Sequence, residues 1–245
     1  MSPVLSVTDL TYQIKDQSLL SNISFHVTKK ASLGIIGESG SGKTTLGRLI
    51  LGLLKPTHGL ISLHGKVFPN GQRNERRAIQ AVFQHPLASF NPEWTVRESI
   101  LEPFRQHRPI LQHFSAMSEE DLITALAFAV GVEERLFDRF PHQLSGGQIQ
   151  RAAIARAISI EPDIIVMDEP TTGLDVVSRA QIIELLERLQ QTLGVSLVLI
   201  SHDIDFIRRL CSETLFLRDG RAVDLIDRLE SGGAYTQRFV EAGTW

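Results

Sequence analysis

The sequence predicts an α/β protein: a mainly parallel sheet core, an antiparallel β subdomain and an inserted α-helical lobe. Three observations predict it. Apolar runs of strand length alternate with segments of helical periodicity, the pattern of a parallel sheet covered on both faces. A glycine-rich loop from Gly37 to Thr44 separates one such run from one such helix. A helical stretch from Thr95 to about Ile160 is entered through Pro86 and Pro92, where regular structure breaks.

Each element follows in order. Val4–Ile14 and Ile23–Val27 carry β-formers around a turn at Asp16–Ser18, as an antiparallel pair requires. Ser32–Ile36 reads as a buried strand and Leu46–Leu54 as the helix after the glycine-rich loop. Pro56–Gly59 is a turn, and Leu60–His64 is a short strand closed by Gly65. Lys66–Arg77 is polar, with a turn at Asn70-Gly71 and a basic cluster of Arg73, Arg76 and Arg77 that reads as a solvated face. Ala81–Phe83 is a strand ending at Gln84. In the helical stretch, Ser118 before Glu119, Glu120 and Asp121 is an N-cap with an acidic first turn, and Gly131 ends that helix. A second helix follows Leu144–Gln148, with Ile149, Ala152, Ala153 and Ala157 as a small apolar face. Asp163–Met167 and Val195–Ile200 are buried strands around a helix over Val176–Leu193, which Gly194 ends. Leu215–Leu217 and Arg221–Asp224 form a hairpin about Asp219-Gly220, and the tail to Trp245 is weakly patterned.

Composition narrows the function classes. The chain has 245 residues, enough for a full α/β core, and its 42% hydrophobic and 22% charged content is that of a globular protein. A net charge of −3 supplies no pull toward nucleic acid, so no nucleic-acid partner is expected. The single cysteine, Cys211, excludes an intrachain disulfide and a cysteine-built metal site. No apolar run reaches the roughly 18–20 residues that span a bilayer, and the N-terminus lacks the basic-then-apolar order of a secretory signal. A cytoplasmic protein is expected.

Gly37, Gly42, Lys43 and Thr44 match the Gly-x-x-x-x-Gly-Lys-[Ser/Thr] phosphate-binding loop. Gly37, Gly40 and Gly42 let the backbone turn its N–H groups inward around an anionic phosphate chain, with Glu38, Ser39 and Ser41 between them and Thr45 just beyond. Lys43 adds positive charge at the β- and γ-phosphates, the Thr44 hydroxyl suits Mg²⁺, and the helix N-terminus adds its dipole. Asp168, after an apolar strand, fits the Mg²⁺ partner of such a loop. Glu169 points to the opposite face if both residues continue the strand, so one carboxylate can serve the metal shell and the other the attacking water. Tyr12 can stack on an adenine ring or simply fill core or surface; spacing does not choose. His202, alone after a strand, is equally open.

Leu144-Ser145-Gly146-Gly147-Gln148 resembles the signature of ATP-binding-cassette (ABC) ATPases. With Gln84, Asp168-Glu169 and His202 in the right order, the likeness extends along nearly the whole chain. It implies a phosphate-loop, RecA-like core over 1–86 and 161–225, a helical signature subdomain over 87–160, and a short tail over 226–245. It also implies ATP and Mg²⁺, with Tyr12 stacking on adenine. Gln84 would sense Mg²⁺ and couple to membrane subunits, Asp175 would lie in the loop crossing a dimer interface, and His202 would act near the γ-phosphate. The signature residues Ser145, Gly146 and Gly147 sit at a helix N-terminus, itself an anion site. In the family two subunits pair head to tail, so ATP is held between one subunit's phosphate loop and the other's signature.

Phe83–Pro92 resembles the corresponding stretch in ATPases of peptide, nickel and metallophore importers. Thr45–Pro56 is similar to the second ATPase of those systems, which implies a heterodimer beside a distinct first ATPase. Two permease subunits and an extracytoplasmic binding protein complete the implied complex, at the cytoplasmic face of the inner membrane. Phe90–Phe104 is the expected permease-docking face. Three departures stand out: His85 replaces the usual Asp, Gly173 the usual Ala, and the cysteine-bearing tail of many oligopeptide-type relatives is missing. The last feature points toward the nickel or metallophore branch. The rival expectations are an ABC ATPase acting in DNA repair or translation, and a phosphate-loop kinase or GTPase outside the family.

Overall fold

The computed structural model describes residues 3–15, 17–69, 73–108, 111 and 114–227. Two sheets form its frame. The first holds β1 (Pro3–Ile14), β2 (Gln17–Thr28), β4 (His58–Leu63) and β5 (Lys66–Phe68), and is antiparallel in the order β2-β1-β4-β5. The second holds β3 (Ser32–Gly37), β6 (Ile79–Val82), β7 (Ile164–Asp168), β8 (Ser196–Ile200), β9 (Glu213–Arg218) and β10 (Arg221–Asp227). Its order is β10-β9-β3-β8-β7-β6. β9, β3, β8, β7 and β6 are parallel to their neighbours, and β10 closes the edge as an antiparallel hairpin.

The central strands are apolar throughout because both faces are covered. Alternate residues divide between two cores. Ile36, Ile165, Met167, Leu197, Leu199 and Phe216 pack on the helical side. Leu33, Ile35, Val166, Val198, Ile200 and Leu215 pack toward the antiparallel sheet. The helical side is built from α3 (Val96–His107), α4 (Glu119–Val130), α5 (Gly146–Ile158), α6 (Val176–Leu193) and α7 (Ile204–Leu210). α1 (Lys43–Ile50) covers the other face, and α2 (Arg73–Ala78) leads into β6. α4 is capped as its sequence predicts, by Ser118 accepting from the Asp121 N–H and by Gly131 in the left-handed region. Ile149, Ala152, Ala153 and Ala157 are all buried on α5.

Several boundaries differ from the sequence reading. β2 begins at Gln17, well before Ile23, because its polar outer residues still pair with β1. The helix after the glycine-rich loop starts at Lys43 and has ended by Leu51, rather than running from Leu46 to Leu54. Helix α7 is too short to show a helical period in the sequence. The basic cluster is not wholly solvated: Arg77 is half-buried and donates to the Ile160 and Glu161 carbonyls at 3.2 and 2.6 Å. The Asn70-Gly71 turn and residues 228–245 lie outside the described residues, while Ile226 and Asp227 belong to β10. Among the described residues, no helix is long and apolar enough to cross a membrane.

Candidate functional site

The order of the parallel sheet builds the site. β3, β8, β7 and β6 are neighbours, and the glycine-rich loop, His202, Asp168-Glu169 and Gln84 follow or close their C-terminal ends in turn. Open α/β sheets gather ligands at that edge. A cavity of ≈ 470 Å³ lies there, lined by Gly37, Glu38, Ser39, Gly40, Gly42, Lys43, Thr44, Thr45, Gln84, Asp168, Glu169 and His202, with Leu19 reaching in from β2.

The loop is held open from within. Gly42 caps α1 at φ 102°, with no side chain accepting from the first-turn N–H groups and no acid in that turn. An added Cβ there would lie 2.5 Å from Leu20 Cδ2, so both conformation and space demand glycine. Lys43 folds back, its Nζ donating to the Gly37 and Glu38 carbonyls at 2.7 and 2.8 Å. Burial lowers its pKa, partly offset by Glu169, Asp168 and Glu38. An ammonium so placed gains from a multiply charged anion. Ser41 is not among the residues lining the cavity; it is buried, with its hydroxyl unpartnered.

Asp168 ends β7 with Oδ1 3.5 Å from Thr44 Oγ1. Burial and then the neighbouring Glu169 raise its pKa, against the lowering effect of Thr44, Arg48 and Lys43. A half-buried carboxylate beside a hydroxyl and the Gln84 amide is a set of hard oxygen donors, and a divalent cation would restore its charge. The donor set fits Mg²⁺.

Glu169 does not continue the strand. Its φ is 49°, a left-handed conformation that costs about 1–2 kcal/mol for a residue with a Cβ. The turn, rather than strand alternation, therefore aims its side chain. Contacts hold it there: Oε1 accepts from the His202 N–H at 3.1 Å and lies 2.8 Å from His202 Nδ1, and Oε2 accepts from Thr172 Oγ1 at 3.0 Å. Its side chain is 12% exposed against 54% for His202. Asp203, which caps α7, pairs with Arg179 of α6 and steadies the His202 turn. Thr172, Arg179, Leu19 and Ser201 (Oγ 3.5 Å from Glu169 Oε2) escaped the sequence reading. No motif marks them; only the fold brings them together.

The remaining candidates lie elsewhere. Ser145, Gly147 and Gln148 line a separate cavity, also ≈ 470 Å³, with Arg151, Ser178 and Gln181. Ser145 and Gln148 form a reciprocal capping box: the Ser145 N–H donates to Gln148 Oε1 at 2.9 Å, and the Gln148 N–H to Ser145 Oγ at 3.3 Å. Gly146 opens α5, with Leu174 packed beside it. Asp175 caps α6, accepting from the N–H groups of Val177 and Ser178 at 3.0 and 2.9 Å and from Ser178 Oγ at 2.6 Å. These bonds lower its pKa. Tyr12 is half-buried against the antiparallel-sheet core and is not among the residues lining the phosphate-loop cavity.

The family model for ABC transporters matches residues 20–172. The chain belongs to the ABC transporter family. It is 39% identical over 215 residues to the oligopeptide transport ATP-binding protein OppF of Salmonella typhimurium, which covers 86% of this chain and 64% of that one. It is 41% identical over 208 residues to the probable D,D-dipeptide transport ATP-binding protein DdpF of Escherichia coli, covering 85% and 63%. The chain thus spans less than two thirds of the length of these curated relatives. Among solved structures, CbiO1 from Clostridium perfringens, part of the ABC transporter complex CbiONQ, superposes with a TM-score of 0.81 at 28% identity, covering 98% and 93%. The ATP-binding cassette MJ0796, a dimer in a post-hydrolysis state with ADP and Pi, gives 0.78 at 30% identity, covering 91% and 98%. Of the departures from the ABC pattern, His85 is exposed beside Gln84, and Gly173 takes φ 76° with open space around it.

Proposed function

We propose that the chain is the ATP-binding and ATP-hydrolysing subunit of a bacterial ABC importer for peptides. One observation carries the reading. The phosphate loop, Asp168, Glu169, His202 and Gln84 line a single cavity at the edge of the parallel sheet. The names of OppF and DdpF favour peptides over the nickel or metallophore alternative. ATP is the substrate: the loop N–H groups and Lys43 bind its phosphates, and Thr44, Asp168 and Gln84 would hold Mg²⁺. The ion, when bound, neutralises charge on the phosphate oxygens. Glu169 orients the attacking water and takes its proton. His202 steadies the Glu169 carboxylate, its backbone N–H donating to Oε1 and its Nδ1 lying 2.8 Å from the same oxygen.

The signature turn lines a different cavity from the phosphate loop, which supports completion of each ATP site by a second ABC ATPase subunit. Two permease subunits and an extracytoplasmic binding protein belong to the proposed complex, with the chain peripheral on the cytoplasmic face of the inner membrane. Tyr12, half-buried on β1, stacks on the adenine ring. The test is Glu169→Gln. It should bind ATP as wild type does while turnover falls about 10²–10⁴-fold, the range for a lost general base. Turnover like wild type removes the base assignment, and a wild-type chain that binds no ATP removes the reading.

A further inference from the structure

Two functional ends lie apart in this chain: Gln84 in the phosphate-loop cavity and the Ser145–Gln148 turn at the start of α5. Arg156, further along α5, joins them. Its two terminal nitrogens donate to the Ser89 carbonyl at 2.6 Å and to Ser89 Oγ at 2.8 Å. Its Cζ also lies 4.3 Å from the centre of the Phe90 ring. Ser89 closes the short 3-10 turn Pro86–Ser89 just after Gln84-His85, and its hydroxyl donates back to the Pro86 carbonyl at 2.7 Å. The segment after Gln84 is therefore pinned to α5 by a planar fork and a stacked ring, a geometry lysine cannot reproduce.

Burial disfavours this cation, and the Glu102 carboxylate offsets that only through space. Its direct partners are a carbonyl, a hydroxyl and a ring, and a cation held this way needs that alignment kept. Arg156 also lines a groove of ≈ 640 Å³ with Phe83, Asn91, Trp94 and Glu102. The side chain thus touches the segment beyond Gln84, the signature helix and the wall of a surface groove.

We infer that Arg156 is a positioning residue that makes the Gln84 segment and the signature turn move as one body. Occupancy of the phosphate-loop cavity, met by Gln84, is then passed along α5 to Ser145–Gln148. The inference rests on the ATPase reading above.

The test compares the full chain with Arg156→Lys, which keeps the charge and loses the fork. ATP affinity is read by fluorescent-nucleotide titration, alongside steady-state turnover and amide hydrogen exchange with and without ATP. Affinity should stay within about twofold of wild type while kcat falls on the order of tenfold, as for a misplaced catalytic group. ATP-dependent protection should persist at 86–90 and vanish at 146–149, a change that loss of general stability does not produce. Protection reaching 146–149 as in wild type overturns the inference. A wild-type chain that binds no ATP overturns the ATPase reading instead. If Arg156→Lys no longer unfolds cooperatively, Ser89→Ala decides, since it deletes one acceptor and leaves the charge in place. Weakened transfer to 146–149 then supports the inference, and full transfer overturns it.

Discussion

Helices α1 and α5 both begin at glycine-rich turns that aim backbone N–H groups outward, yet they end those turns in opposite ways. α1 is capped by Gly42, which has no side chain to offer, and its first turn holds no acid. α5 is capped by Ser145, whose hydroxyl and N–H are both engaged by Gln148. The first helix leaves its donors for a ligand; the second satisfies part of its own. A helix N-terminus carries about half a positive charge in either case. The difference is how much of it remains to be answered. By this measure α1 keeps its donors open for a ligand, while α5 is stable by itself.

The largest effect should come from removing the cation beside α1. Lys43→Ala should weaken ATP binding by about 10–100-fold, taking roughly 1.5–3 kcal/mol for a hydrogen bond to a charged group and about 1.4 kcal/mol per decade. Titration with a fluorescent nucleotide measures it. Unchanged affinity would mean that α1 is no more an anion site than α5.

Ser145→Ala should cost about 1 kcal/mol of stability, the usual loss of a serine N-cap. ATP affinity of the isolated chain should be unchanged, because Ser145 is not part of the phosphate-loop cavity. Chemical denaturation and the same titration read both. A loss of affinity would bring the two helix ends to one nucleotide within one chain and dissolve the contrast.

Asp168→Asn should raise the midpoint of thermal unfolding at neutral pH without Mg²⁺ or nucleotide. The sign follows from linkage. Burial raises the folded-state pKa of Asp168, so its contribution is full below the unfolded carboxylate pKa and is lost as pH rises through the folded value. At pH 7 the wild type holds an ill-solvated charge that the amide lacks. A midpoint that falls would show that the carboxylate is a structural partner instead of a stored demand for a cation.

The α1 region was legible in the sequence for the same reason that it is ready for a ligand. Its loop needs glycine where side chains do not fit, and Gly42 against Leu20 is such a place. α4 and α6 were legible from Ser118, Gly131 and Gly194, whose cap chemistry is local. What escaped depends on partners distant in sequence. Leu19 reaches the cavity only because β2 lies against the loop, and Arg77 finds its carbonyls at Ile160 and Glu161. α7 has seven residues, too few to show a period, and its cap Asp203 is also the partner of Arg179. At Glu169, strand alternation was the wrong guide because the strand had already ended.

Asp175→Asn should have the smallest effect on stability, and for that reason it separates two roles. Asp175 caps α6 through two N–H bonds to Oδ1 that asparagine can also accept, its amide donating to Ser178 Oγ in place of the bond that Oδ2 accepts, and the two residues are near equals as N-caps. Those bonds lower its pKa, so its charge-dependent contribution is present above the unfolded carboxylate pKa and is lost as pH falls through the depressed folded value. Thermal unfolding at pH 7 should therefore be unchanged, with the variant diverging from wild type only in acid. Turnover then distinguishes the two roles. If Asp175 is solely a cap, the variant hydrolyses ATP at the wild-type rate. If its loop also meets a second subunit, turnover falls although the midpoint at pH 7 has not moved. The Asp175 helix end would then resemble α5, stable by itself and finished only by a partner.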